Sequence, residues 1–245
     1  MRKILKNILS TSPYVVYKKY RDKMINVKRI KVQKEIIDDY LKNNEVKKLQ
    51  IGCGTNIMEG WLNTDLKDTN SIAFLDAGKV YPIKSDIFDF IYSEHLFEHL
   101  KIEQQINMLE ECHRILKKGG VMRIATPSLD FLFNLYSNPD TFENQQYVIW
   151  AMKNIPNLNV VKDSVVDNEE YYTHVINNFF KAWGHQMIHN YSSIKKLALQ
   201  CGFNQVKQFS VGDSDILTLR NIERHGTIIP KRINLIETMI IEITK

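Results

Sequence analysis

Residues 87–93 read IFDFIYS, an almost unbroken apolar run. A strand with water on one face alternates apolar and polar residues, whereas a strand covered on both faces has no reason to. The run therefore asks for a sheet layered by helices on both sides. The surrounding chain supplies the parts. KLQIG (48–52), GWLNTDL (60–66) and SIAFLDA (71–77) precede it as three shorter strand candidates. Ile102, Ile106, Leu109 and Leu116 then mark one face of a helix, with Gly119 and Gly120 as its expected stop. VMRIATP (121–127) follows as a fifth strand. Strands that alternate with helices predict an α/β fold with a doubly wound, mostly parallel sheet of the Rossmann-like kind.

The pattern loosens after Pro127. Residues 128–190 carry FLFNLY, YVIW and EEYYTHVINNFFKAW, which read as helices and loops covering the sheet edge. Ser192 is the expected cap of a helix bearing Ile194, Leu197, Ala198 and Cys201, closed by Gly202. FNQVKQFSVG and DILTLRNI then read as a terminal antiparallel hairpin, which brings the sheet to seven strands. The tail, INLIETMIIEIT, suits a helix or a strand. At the other end, Ile30, Ile37, Tyr40 and Leu41 recur at helical spacing. The expected organisation is a basic helical arm over 1–45, then one domain over 46–245 with 128–190 as a substrate-covering insertion.

Charge separates the arm from the body. Residues 1–34 hold eleven Lys or Arg and a single acid, Asp22, while the rest hold 22 basic and 27 acidic side chains. A nucleic-acid partner needs a positive surface around the working site, and this acidic body argues against one. The arm suits a solvated helix face, an oligomer contact such as a homodimer, or peripheral contact with an anionic membrane. No apolar stretch is long enough for a transmembrane span. Cys53, Cys112 and Cys201 are far apart with no C-x-x-C pair, so a disulfide framework is not expected and a cytoplasmic setting is.

LQIGCGTN (49–56) ends a strand on Gly52, Cys53 and Gly54. Two glycines there let the backbone approach a ligand, but Ile57 stands where a dinucleotide fingerprint needs a third, so NAD is disfavoured. Asp65 follows at the end of the second strand, and Asp76 at the end of the third. With LDAGKVYPI, FDFIYSEHLFEHL and RILKKGGVMRIATP in that order, the chain resembles the class I S-adenosylmethionine-dependent methyltransferases of the type 11 kind, strongly over 47–127 and more loosely through WGHQMIHNYSSIKKLALQCGF. The resemblance implies S-adenosyl-L-methionine as cofactor. It places Gly52, Cys53, Gly54, Thr55 and Asn56 at the methionine end. Asp65 and Leu66 fall at the ribose, Asp76 and Ala77 at the adenine, and Ser93 and Glu94 beside the sulfonium. Ten residues separate Gly54 from Asp65, so the usual first helix must be short or missing.

YSEHLFEHL (92–100) holds His95, Glu98 and His99 as H-x-x-E-H, a spacing shared with some zinc hydrolases. That chemistry needs the five residues in one helix and a third ligand. Here they begin at a strand end, where a doubly wound fold binds its ligand, so no metal is expected. Methyl transfer to a hydroxyl benefits from a base, and an imidazole with a pKa of about 6.5 suits it. His95 is the first candidate, His185 the second and His99 the third; His189 is also a candidate, but is expected to be a solvated loop residue. Relatives with this opening often act in bacterial surface-polysaccharide pathways. The resemblance thus implies O-methylation of a small polar acceptor, such as a sugar or nucleotide-linked sugar. Phe131, Tyr136, Trp150, Tyr171, Tyr172 and Trp183 offer rings for stacking. Alternatives are an RNA or protein substrate, or a non-catalytic cofactor-binding scaffold docking through its arm.

Overall fold

The computed structural model describes residues 13–69, 71–158 and 171–245. The first twelve residues of the basic arm and residues 159–170 of the cover lie outside them. Among the described residues one sheet has seven strands: β1 (Lys48–Ile51), β2 (Leu62–Asp65), β3 (Ala73–Phe74), β4 (Phe88–Glu94), β5 (Leu116–Pro127), β6 (Gln205–Phe209) and β7 (Thr238–Thr244). Their spatial order is β3-β2-β1-β4-β5-β7-β6. The first five pair in parallel, and β7 runs antiparallel to both β5 and β6. The expected doubly wound fold is therefore present, with helices laid on the sheet. The chain winds outward from β1 to β3 and then returns to β4 on the other side of β1. That reversal opens a crevice at the carboxyl ends of β1 and β4, where such sheets take their ligands.

The core explains why these segments are strands. Leu49, Ile51 and Ile91 have no more than 1% exposure and face Met108, Leu109, Cys112 and Ile115 of α2 (Ile102–Ile115). Each such aliphatic side chain stabilises the fold by about 1.5–3 kcal/mol on burial. The helix start is marked by Gln104, whose side chain accepts from the Lys101 N–H at 3.1 Å. A second core lies mainly in the cover, with Ile233 added from the C-terminal segment. Phe131, Leu135, Tyr147, Val175 and Phe179 bring together α3 (Leu129–Ser137), α4 (Phe142–Asn154) and α5 (Tyr171–Lys181). As expected, no helix separates Gly54 from Asp65. Residues 52–61 are turns, and Trp61 fills the space with its ring edge-on to Tyr92 at 6.2 Å.

Three expectations about the elements need correction. Helix α2 stops at Ile115, not at Gly119-Gly120, because Leu116 is already extended and pairs with Phe88. Gly119 instead turns within β5 at φ 78°, its N–H bonded to the Lys245 carbonyl. The cap of α6 (Tyr191–Gln200) is Asn190, whose side chain accepts from the Ser193 N–H at 3.0 Å; Ser192 lies inside the helix. DILTLRNI is not a strand, and Leu217–Leu219 form a 3-10 turn there. The tail supplies the missing strand. It divides into α7 (Lys231–Glu237) and β7, and β7 takes the slot between β5 and β6. That slot is buried on both faces, with Ile240, Ile241 and Ile243 at 0% exposure. MIIEI fits such a position because its one charged residue, Glu242, is matched by Arg123 of β5, while Arg220 and Asn221 would carry further polar groups into it.

The basic arm is helical from Pro13, within α1 (Pro13–Asn43), which ends four residues short of β1. Among the described residues no helix is long and apolar enough to cross a membrane.

Candidate active site

β4 delivers its chain into the crevice and then bends sharply. His95, the residue after Glu94, takes φ 47° while its N–H still bonds the Ala125 carbonyl of β5 at 2.9 Å. A left-handed conformation at a non-glycine residue is strained by about 1–3 kcal/mol and persists only where the surroundings fix it. The bend leads into the 3-10 turn Phe97–His99, so H-x-x-E-H is not one helix.

Glu98 is the fixed point of this turn. Its side chain is fully buried, with Oε1 3.0 Å from His95 Nδ1 and Oε2 accepting from the Thr126 hydroxyl at 3.0 Å. His95 Nε2 is buried and has no partner. Burial alone would push the His95 imidazole down, but the hydrogen bond and charge of Glu98 outweigh it, and the net shift is upward. The Glu98 carboxyl is likewise raised by burial and lowered further by His95, with a net shift downward. An Nδ1–H held by a carboxylate leaves Nε2 as the accepting atom.

The cover is fastened to the same turn. The backbone carbonyl of Glu98 accepts from the N–H groups of Gln186 and Met187 at 2.7 and 3.2 Å. This brings His185 against His99, with ring centroids 4.8 Å apart. His185 Nδ1 donates to the Phe179 carbonyl at 2.6 Å, and burial holds its pKa down. His189 is not the expected solvated residue. It is buried, Nδ1 meets Ser193 at 2.8 Å and Nε2 meets Gln105 at 2.9 Å, so it joins α6 to α2. With both nitrogens engaged it is removed from the candidate bases.

The segment between β6 and β7 adds residues that no sequence pattern marked. Arg123 of β5 is fully buried, and it pairs with Glu223 at 2.5 Å and Glu242 at 2.6 Å. Its hold on Glu223 places the next two residues over the end of β4. There the N–H groups of Arg224 and His225 both donate to the Glu94 carboxylate at 2.9 Å. The His225 ring lies against His95, with centroids 3.9 Å apart, and its Nε2 is 3.2 Å from Glu237. The Tyr147 hydroxyl donates to the other oxygen of Glu237. Two His–Glu pairs thus meet ring to ring. One is local in sequence and the other is assembled from afar.

Two cavities share this point. The larger, about 760 Å³, lies under the cover and takes in His95, Glu98, His99, His185, Tyr147 and Glu237 among rings and aliphatic groups. No Lys or Arg lines it among the described residues. The smaller, about 200 Å³, runs along the glycine turn from Gln50 through Asn56 to Glu94 and His95. His95, His225 and Ile228 form the wall common to both. Of the expected rings, Trp150 and Trp183 line the large cavity, and Phe131, Tyr171 and Tyr172 pack into the cover's own core. Tyr136 is exposed.

The expected cofactor residues are placed in two groups. Gly52, Cys53, Gly54, Thr55, Asn56 and Glu94 line the small cleft. Asp65 adjoins it, its Oδ2 accepting from the Gly54 N–H at 2.9 Å, while Leu66 beside it is exposed. Asp65 charge and burial together push the Cys53 thiol up to about 11, burial contributing most, so this cysteine is no nucleophile at neutral pH. Ser93 is buried below the cleft with its hydroxyl unpartnered. Asp76 is set apart. It lies two residues beyond β3, binds the Gly78 N–H, and lines a separate cleft with Gln33 of α1; Ala77 is buried beside it.

A family model described as "Methyltransferase domain" matches residues 64–124, the stretch from β2 into β5. With the sheet order above, that match supports an S-adenosylmethionine-dependent methyltransferase, with S-adenosylmethionine as its cofactor. No curated protein matches the chain. Among solved structures, a SAM-dependent methyltransferase from Archaeoglobus fulgidus is similar at 17% identity, over 89% of this chain and 94% of that one, with a TM-score of 0.45. An S-adenosylmethionine-dependent methyltransferase from Mesorhizobium loti is similar at 14% identity, over 82% and 92% of the two chains, with a TM-score of 0.47.

The small cleft fits the methionine end of such a cofactor. Gln50 Oε1 is buried there without a donor, which an ammonium group would supply. Gly54, at φ 54°, has nothing within 4 Å of the position a Cβ would take, so the backbone lies open to a ligand.

Proposed function

We propose that this chain transfers a methyl group from S-adenosylmethionine to a hydroxyl oxygen of a small, ring-bearing acceptor, with His95 as the base. The observation that carries the reading is His95 Nε2. It is buried, unpartnered, backed by Glu98 through Nδ1, and set on the wall shared by the cofactor cleft and the large cavity. The cofactor supplies a methyl carbon on a positively charged sulfur. The glycine turn, Gln50 and Asp65 hold its methionine and ribose ends, and Asp76 is assigned the adenine. Trp150, Trp183 and Phe179 orient the acceptor in the cavity, which by itself lowers the barrier by several kcal/mol. As the new O–C bond forms and the S–C bond breaks, His95 Nε2 takes the hydroxyl proton, and Glu98 stabilises the imidazolium that results.

The carbohydrate part of the reading rests on the aromatic lining, since flat rings suit the apolar face of a sugar, and on the resemblance to surface-polysaccharide enzymes. The cytoplasm is the setting this implies. The absence of Lys and Arg among the described lining residues favours an uncharged glycoside over a nucleotide-linked sugar, whose diphosphate asks for cations. The test is incubation with S-adenosylmethionine and a panel of free sugars, glycosides, nucleotide sugars and amines, read by mass spectrometry. A gain of one methyl group on a hydroxyl of an uncharged sugar is expected. Methyl transfer confined to amines would overturn the oxygen reading, and no transfer across the panel would overturn the acceptor class.

A further inference from the structure

The sequence offers no third ligand beside the two ends of E-H at 98–99; the fold supplies one. Glu98, His99 and His185 each present a ligand atom, and these atoms lie within 4.8 Å of one another at the edge of the large cavity. We propose that these three side chains bind a divalent transition metal, zinc by preference, with a fourth position open to the acceptor cavity.

The donor set is two imidazoles and one carboxylate, which is a zinc set when one position is left open. Each donor is prepared for the role. His185 is oriented by its Nδ1–H bond to the Phe179 carbonyl, which leaves Nε2 as the ligating atom. Glu98 is fully buried, and His95 and Thr126 each occupy one lone pair on its two oxygens, which leaves a lone pair on each for an ion. No hydrogen bond holds the His99 imidazole among the described residues, and its ring meets the edge of His185. Ligands around tetrahedral zinc stand roughly 3.3 Å apart, given bonds of about 2.0 Å. The half-buried His99 and His185 rings can close the difference by rotating, since both are bordered by open cavity.

The local fold brings the cluster together deliberately. Glu98 is held by its 3-10 turn, and the Gln186 and Met187 N–H bonds to its own carbonyl deliver His185 to it. The open position faces the space where the acceptor enters. An ion there would bind and acidify an acceptor hydroxyl beside His95, a role that rests on the methyl-transfer reading. Metal binding itself does not rest on it.

The test uses the full chain, stripped with chelator and dialysed. Zinc uptake is measured by elemental analysis, and cobalt is titrated as a spectroscopic probe. One equivalent of zinc and visible ligand-field bands at one equivalent of cobalt are expected. His99→Ala and His185→Ala should each weaken uptake by at least about tenfold. His113→Ala, on α2 against Phe203, should leave uptake unchanged, and circular dichroism checks that each variant is folded. Absent cobalt bands in the unaltered protein would overturn the site whatever the variants do. Equal uptake by unaltered protein, His99→Ala and His185→Ala would overturn it as well. Every readout is independent of turnover, so a negative result leaves the methyl-transfer reading standing.

Discussion

The large cavity has two walls built in opposite ways. One is the strand-end wall, where His95, Glu98 and His99 follow β4 within five residues and are set by one bend and one 3-10 turn. The other is imported: Tyr147 comes from α4, His185 from beyond α5, and His225 and Glu237 from the segment between β6 and β7. Both walls present a histidine backed by a buried glutamate. The first depends on local chain geometry and on the sheet beneath. The second depends on distant anchors, chiefly the buried Arg123 with Glu223 and Glu242. The difference suggests a division of labour, with chemistry on the rigid wall and shape on the assembled one.

The sharpest way to break that division is His95→Ala. Turnover with a verified acceptor should fall by about 10²–10⁴-fold, while affinity for S-adenosylhomocysteine, measured by calorimetry, changes little. Near-normal single-turnover rates would move the base elsewhere. Glu98→Gln should lower the same rate by less, because the imidazole stays in place but loses its charge partner.

Next in size is the anchor of the imported wall. Arg123→Met would leave Glu223 and Glu242 as buried charges without compensation, and it should destabilise the fold by about 3–5 kcal/mol. Urea unfolding reads this directly. An unchanged midpoint would mean that the second wall does not depend on this ion cluster.

Gly54→Val probes the small cleft that meets the large cavity at His95. A β-branched side chain at φ 54° is strained and projects toward the open cleft. S-adenosylhomocysteine should bind at least about tenfold more weakly, because the side chain fills the space left open to the ligand or forces the turn out of its conformation. Asp65→Ala should weaken binding as well. If both variants bind normally, the cofactor lies outside this cleft.

The smallest expected effect is that of His225→Ala. Loss of a ring contact of about 0.5–1.5 kcal/mol predicts a two- to tenfold fall in turnover, roughly, with the base still present. A loss as large as that of His95→Ala would place the second His–Glu pair in the chemistry and erase the distinction between the walls.

The strand-end wall was legible because its information is local. IFDFIYS requires burial on both faces, the strand must end at the crevice, and His95 stands at that end whatever the rest of the chain does. The same reasoning pointed to Gly52 to Asn56, which follow directly on β1 and are held by Thr64 and Asp65 at the end of the adjacent β2. It found β1 to β5 for the same reason, although their ends shifted where pairing with a neighbour, as between Leu116 and Phe88, outweighed local helix and glycine preferences.

Tertiary structure alone decided the rest. DILTLRNI and MIIEI both look like strands, and the doubly buried slot beside β5 takes the one whose single charged side chain, Glu242, meets a buried partner in Arg123. His189 is exposed or buried according to whether Gln105 and Ser193 come to meet it. Nothing near His225 or Glu237 in sequence marks them as neighbours of His95, 130 and more residues earlier. Their meeting depends on Arg123 being paired inside the sheet. A sequence specifies local conformation through each residue's own preferences, but long-range juxtaposition is set by which buried groups can satisfy one another, and that is decided only when the whole core closes.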